Sequence, residues 1–338
     1  MYSAKPLLHR RQKASIPGTL RTIALDVTSK CNMTCSKCYA ETFVGREPLA
    51  LEQLAKALRE FYELGVSHYV LQGGEASIDP ARLEFILHNC YPDETYINVV
   101  SNGWRMTREK IRWLKDLKVD KIAFSLDSGI EEEHDQDRLR GSYKWVLNAI
   151  DTVLDEGLLT SVSIVVTHES LYSEGFNSAL EFVKAKKIRM DVQIAEPVGK
   201  WDGMKDMLIT PADAAYIKRL QQECGNLPNG QTLINRDIFC GTGDRCPAAR
   251  EFMSLSVDGE LLPCNFLQYS LGNVKQYSIR EMRDAILKSD WFDGKQSVCI
   301  CGEDSDFIDD FITPHVGKSK PLDAYEVFSL DRPPARLR

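Results

Sequence analysis

An α/β fold built on a parallel sheet, with its chemistry at the carboxyl ends of the strands, is what this 338-residue sequence predicts. Three observations predict it. Six apolar segments of strand length alternate with segments of helical periodicity between residues 23 and 194. The polar, glycine and cysteine motifs of that half each fall just after one of those strands. A second group of cysteines lies beyond a turn-rich linker and marks a further C-terminal unit.

The elements follow in order. Residues 1–20 read as a loose arm ending at Pro17-Gly18. Ile23 to Thr28 forms the first strand, and Leu51, Leu54, Ala55, Leu58 and Phe61 or Tyr62 fall on one face of a helix that Gly65 stops. Strands over 68–71, 96–100, 121–126, 161–167 and 189–194 then alternate with helices over 80–89, 108–117, 142–156 and 177–186. Thr107 caps the helix over 108–117, and Gly157 ends the helix over 142–156. Alternation of this kind requires right-handed crossovers and a parallel sheet. A further helix begins at Pro211, capped by Thr210, and runs to Cys224-Gly225. Asn226-Leu227-Pro228-Asn229-Gly230 is the linker, so one unit spans 21–225, a second spans 231–302, and 303–338 is an acidic solvated face and tail.

Composition narrows the function. A net charge of −7 gives no general electrostatic basis for holding nucleic acid. The first residues carry His9, Arg10, Arg11 and Lys13 without an apolar core of signal-peptide length, and no apolar run is long enough to span a membrane. The expectation is a cytosolic protein, where clustered cysteines mean metal or catalysis more often than disulfides.

The decisive stretch is Cys31-Asn32-Met33-Thr34-Cys35-Ser36-Lys37-Cys38-Tyr39, directly after the first strand. Its C-x3-C-x2-C spacing would arise by chance in roughly one such chain in a hundred. Zinc sites favour paired C-x2-4-C units with a fourth Cys or His nearby, and none lies within the next thirty residues. An iron-sulfur cube takes four protein sulfurs, so a loop of three leaves one iron open.

This loop resembles that of the radical S-adenosylmethionine (radical SAM) enzymes, in which an aromatic residue, here Tyr39, follows the last cysteine. The resemblance implies that Cys31, Cys35 and Cys38 hold a 4Fe-4S cluster. The open iron then chelates SAM, which is cleaved to a 5'-deoxyadenosyl radical that removes hydrogen from a substrate. It also implies a partial (β/α)6 barrel.

Further motifs extend the likeness. Gly73-Gly74-Glu75 after the second strand resembles the family's GGE motif for the SAM amino group. Read from the residues alone, it is a tight turn with a carboxylate able to meet an ammonium. Asn102 after the third strand, and Ser125 and Asp127 at the end of the fourth, either face ribose or substrate or simply form turns. The stretch His134 to Gly141 is similar to the family's HDxxRG, which implies that Arg140 approaches the SAM carboxylate. Two extra residues put Arg138 in competition with it.

Cys240, Cys246, Cys264, Cys299 and Cys301 form the second set. Asp258-Gly259 between apolar runs predicts a hairpin that returns Cys264 towards Cys246. The spacing is similar to the opening of the SPASM/twitch extension, and the helix expected from Ser278 to Trp291 fits it too. With only Cys299-Ile300-Cys301 at the end, the likeness implies one auxiliary 4Fe-4S cluster. Five thiols compete for four places, Cys240 being a ligand, a hydrogen donor or a free thiol, and a structural zinc site is the alternative.

These features together imply a radical SAM oxidoreductase or epimerase acting on a sugar-like or other natural-product metabolite. The alternative is a maturase that crosslinks, oxidises or epimerises a ribosomal peptide. A flavodoxin or ferredoxin is the expected electron donor, with no nucleic-acid or membrane partner.

Overall fold

The computed structural model describes residues 18–236 and 245–336. Its first half runs β1 (Thr22–Thr28), α1 (Leu51–Glu63), β2 (His68–Gly73), α2 (Pro80–Asn89), β3 (Tyr96–Ser101), α3 (Arg108–Asp116), β4 (Lys121–Ser125) and α4 (Glu131–Asp137). It continues with α5 (Ser142–Asp155), β5 (Leu159–Val166), α6 (Glu174–Lys186), β6 (Arg189–Ile194) and α7 (Pro211–Cys224). These strands pair in parallel and in sequence order, β1 to β6, as the alternation requires. Outward-facing Ile97, Val99, Ile122 and Phe124 pack under Ile86, Ile111, Val146 and Ile150 from the covering helices, all of them fully buried.

The expected helix boundaries rest on identifiable caps. Thr107 accepts the Lys110 amide at 3.3 Å, and Thr210 and Asp213 form a reciprocal capping box at the start of α7.

Beyond α7 the chain returns to the same sheet. A turn closed by the Leu227 amide on the Gln231 carbonyl leads into β7 (Ile234–Arg236), which extends the sheet in parallel beside β6. β8 (Phe252–Leu255) adds in parallel to the other edge, beside β1, and β9 (Leu261–Leu262) pairs back on it in the predicted hairpin at Asp258-Gly259. The sheet order is therefore β7-β6-β5-β4-β3-β2-β1-β8-β9. Residues 231–302 supply three strands to one continuous sheet, an arrangement that two-residue periodicity cannot announce in strands only two to four residues long.

Two expectations for the C-terminal part change. The helix expected from 278 to 291 is α8 (Ile279–Ile286), followed by a separate turn at Asp290–Phe292 that Ser289 caps. The stretch 303–338 is not a loose tail: β10 (Tyr269–Ser270) pairs with β11 (Leu322–Asp323), and Phe307, Phe311 and Phe328 stack with Tyr269 and Trp291. Its acidic face is solvated, with Asp306, Asp309 and Asp310 exposed.

Candidate functional site

Inside the curved sheet lies a cavity of about 870 Å³. Its carboxyl-end wall is made by the cysteine loop and by residues just past the ends of β2, β3 and β4, including Gly73, Gly74, Glu75, Asn102 and Ser125. Side chains pointing into it are those that alternate with the core set along each strand, which is why polar Asp26, Gln72, Asn98 and Ser163 occupy strand positions.

The loop after β1 is clamped from three sides. The Gly74 amide donates to the Thr28 carbonyl at 2.8 Å and the Glu75 amide to the Lys30 carbonyl at 2.9 Å. A Cβ on Gly73 or Gly74 would overlap those same two carbonyls, so the glycine pair lets the loop sit on the end of β2. From below, the Ser36 amide donates to Asp137. From the far side, the Lys200 amide donates to the Cys38 carbonyl at 3.0 Å, and the Tyr39 ring meets Phe266 edge-on at 5.2 Å. The result places Cys31, Cys35 and Cys38 on one cavity wall, all with free sulfurs. Burial raises all three thiols above their ordinary range, and binding a cation would release their protons. No group of three or more His, Cys, Asp or Glu among the described residues is close enough to hold a single metal ion. Three free thiols on one wall fit a cluster that takes three of its ligands from the protein.

Glu75, the carboxylate expected to meet a ligand ammonium, lines the cavity and is also tied to the neighbouring strand ends. Its carboxylate, 2% exposed, accepts the Ser77 amide at 3.1 Å, the Ser101 hydroxyl at 3.0 Å and the Asn102 amide at 2.8 Å. Burial raises its pKa while these donors oppose the rise. Glu75 ties the end of β2 to the end of β3, which orients Asn102, whose amide nitrogen donates to Asn32 within the cysteine loop at 2.9 Å.

The fourth strand carries the cationic corner. Asp127 is buried and does not line the cavity; its carboxylate pairs with Lys37 at 3.3 Å and with the Arg138 guanidinium. Burial would raise Asp127, but Arg138 and Lys37 outweigh it and hold it below the carboxylate range. Arg138 lines the cavity beside Cys35 and lowers that thiol against the effect of burial. Arg140 is exposed and lies off the cavity, so the competition foreseen between the two arginines goes to Arg138. His134 and Asp135 hold the corner in shape: the His134 ring accepts the Asp127 amide at 3.2 Å, and Asp135 accepts the Tyr143 amide at 2.9 Å at the start of α5.

Sequence reasoning missed Lys37, Asn32 and Asp26. Lys37 was legible in principle, since a cation between two ligating cysteines must find a carboxylate. Asp26 was legible as a lone charge in an apolar strand. Burial pushes its pKa up to about 7, with Gln72 at 3.4 Å only partly offsetting it.

Residues 25–181 match the model of the radical SAM superfamily. This chain carries a radical SAM domain. It is 29% identical over 267 residues to the sporulation killing factor maturation protein SkfB of Bacillus subtilis, covering 76% of this chain and 63% of that one. It is 25% identical over 292 residues to molybdenum cofactor biosynthesis protein 1 of Drosophila melanogaster, covering 78% of this chain and 48% of that protein, so it spans about half of that relative's length. Among solved structures, Streptococcus suis SuiB bound to its precursor peptide SuiA superposes with a TM-score of 0.63 at 16% identity, covering 87% of this chain and 71% of that one. SuiB is also known bound to S-adenosylmethionine. A radical SAM domain works with SAM and a 4Fe-4S cluster, and the wall described above supplies the donors for both.

Behind the radical SAM domain's cavity wall stands the second sulfur site. Cys264, Cys299 and Cys301 each feel the charge of others in the set, Cys246 included, and none of the four lines the cavity. The hairpin does bring Cys264 back: the Ala249 amide donates to the Pro263 carbonyl at 2.9 Å. The Cys299 thiol donates to Glu196 at 3.5 Å, and the Cys301 thiol to the Phe266 carbonyl at 3.5 Å. Burial and then the Glu196 carboxylate push Cys264, Cys299 and Cys301 well above the thiol range. Four free thiols, Cys301 buried and the other three half-buried, fit a cluster as donors. Cys240 lies outside the described residues. Cys90 is buried at the end of α2, and Cys224 is half-buried at the end of α7.

Proposed function

We propose that this radical SAM enzyme modifies a peptide, by oxidation, crosslinking or epimerisation, with Cys31, Cys35 and Cys38 holding the SAM-binding cluster and a second cluster held at Cys246, Cys264, Cys299 and Cys301. The observation that carries this reading is the cavity. Its 870 Å³ lies near the upper end of the roughly 300–1,000 Å³ that enclose one drug-sized ligand, and it continues from the cysteine loop past Ser163 and Gln193 to the other end of the barrel. That leaves length for an extended chain beside SAM. SkfB is a maturation protein, and SuiB was solved with a precursor peptide, so the relatives favour a peptide over the sugar-like metabolite that the sequence suggested first.

When bound, the cluster and SAM supply a radical able to take hydrogen from an unactivated carbon. The chain's own residues do the rest. Arg138 and Asn102 border the SAM side of the cavity, Asp127 and Glu75 hold them in place, and the buried wall keeps water from the reacting carbon. Gly73, Gly74, Ser125 and Tyr39 complete that side. A flavodoxin or ferredoxin provides the electron.

Anaerobic reconstitution with iron and sulfide, then dithionite and SAM, tests the reading against peptides encoded beside the gene and against a panel of sugars. Production of 5'-deoxyadenosine with a peptide mass loss of two hydrogens, or with deuterium gained from deuterated water, supports it. A modified sugar and inert peptides overturn it.

A further inference from the structure

The cavity does not end at the cysteine loop. At the amino end of the barrel it is lined by Arg21, just before β1, and by His68, Asn98, Lys121, Arg189 and Asp191. These sit at the first or third positions of β2, β3, β4 and β6, and Asn98 is the register partner of Lys121. None of them belongs to the SAM side of the site.

The charges at this end do not balance. Asp191 takes Arg189 at 2.7 Å, Asn235 at 3.1 Å and Lys121 at 3.4 Å, one carboxylate between two cations. Glu251 is shared in the same way by Arg21, at 2.8 Å, and Arg245. Among the groups that line this end of the cavity, three cations, Arg21, Lys121 and Arg189, thus stand against one carboxylate, Asp191. The imidazole of His68 registers the surplus: burial, followed by Lys121 and Arg189, lowers its pKa to about 3, so it stays neutral. Three polar atoms here are buried without a partner, the Arg21 Nε, the His68 Nε2 and the side-chain oxygen of Asn98, a residue 6% exposed. Such groups cost free energy unless something fills the space between them.

We propose that the amino end of the barrel is an oxyanion subsite that takes a carboxylate of the substrate between Lys121, Arg189 and His68. Deepening the peptide reading, on which it rests for the nature of the substrate, it adds a selection rule. Lys121 and Ser125 bound the same strand four residues apart, about 13 Å along β4. An extended peptide held by its carboxylate at the floor therefore presents a carbon about four residues away to the SAM side. The carboxylate belongs either to the peptide's C-terminus or to an acidic side chain.

The test uses the full reconstituted chain and two probes, sulfate and acetate, titrated by calorimetry at constant ionic strength. Saturable binding is expected, weakened about tenfold or more in K121Q and in R189Q, and tightened in D191N, which removes a competing carboxylate. A merely structural network would shift all three variants in the same direction. Absence of saturable binding below about 50 mM, or equal affinity in wild type, K121Q and R189Q, overturns the subsite. If D191N does not fold, the two cation variants still decide.

With a peptide that the enzyme modifies, amidating its C-terminus and replacing its acidic side chains by Asn or Gln separate the two sources. A KM raised about tenfold by one of these changes supports the proposal, and a KM indifferent to both overturns it. Saturable sulfate binding in an enzyme that modifies no peptide supports the subsite while overturning the peptide reading.

Discussion

The two sulfur sites of this chain are built from the same side chain and differ in almost everything else. Cys31, Cys35 and Cys38 come from one loop of eight residues, line an open cavity and sit beside the cations Lys37 and Arg138. Cys246, Cys264, Cys299 and Cys301 come from three segments spread over more than fifty residues, lie off the cavity wall and sit beside the carboxylate Glu196. Cations next to the first set favour thiolates and the carboxylate group of a ligand that comes and goes; a carboxylate next to the second set opposes extra negative charge. The proposed division of labour puts exchange chemistry at the local, positively framed site and a fixed group at the nonlocal one beside a carboxylate.

The sharpest way to break that division is to delete one sulfur from each. Cys35→Ala is expected to abolish SAM cleavage and remove about four irons while leaving the fold intact, because the loop's clamps are backbone bonds that do not involve sulfur. Cys264→Ala is expected to lower thermal stability as well as iron content, since the metal there would join the hairpin to the 299–301 loop. Iron analysis and thermal melts compare the two. Equal loss of stability in both variants would erase the distinction.

Next in size is the buried ion triad that frames the first site. Asp127→Asn leaves Lys37 and Arg138 without their common carboxylate, at a cost of about 3–5 kcal/mol. Denaturant unfolding should show it, and the KM for SAM should rise as Arg138 loses its orientation. Arg140→Gln, on the exposed side of the same stretch, should do neither. A smaller effect, about 3 kcal/mol, is expected for Gly74→Ala, whose Cβ would meet the Lys30 carbonyl and push the cysteine loop off β2. Loss of the cluster's visible absorbance at unchanged helicity would report the displaced loop.

The same contrast explains what could be read without coordinates. Helices and strands of the first half were legible because Leu54, Leu58 and Phe61, or Val99 and Ile122, repeat with the period of their element, and the first sulfur site was legible because three ligands share one loop. Chemistry at strand ends followed from topology alone. The second site's membership in the sheet was not legible, since β7 and β8 are too short to carry a period and their partners β6 and β1 lie some 40 to 230 residues away in the chain. Nor was the choice of Arg138 over Arg140. Two arginines separated by one residue point to opposite sides, and only the position of Asp127 decides which is buried.

The smallest effect concerns Asp26, an inward-facing carboxyl on β1 that belongs to neither sulfur site and lies between them, near Tyr39 on one side and Asp258 on the other. Its pKa of about 7 in the folded chain exceeds the ordinary carboxylate value of 3.8. Below pH about 4 both folded and unfolded chains hold the proton, and Asp26 costs nothing. Between about 4 and 7 the folded chain keeps a proton that the unfolded chain has released, so stability falls as pH rises, and above 7 the full penalty persists. A shift of three units corresponds to about 4 kcal/mol, which water in the cavity reduces to about 2 kcal/mol. Asp26→Asn should therefore match wild type in urea unfolding at pH 4 and exceed it by about that amount at pH 8. A variant advantage that is the same at both pH values would mean that the carboxyl is ionised and solvated like any surface group, and that the space between the two sulfur sites is wetter than its burial implies.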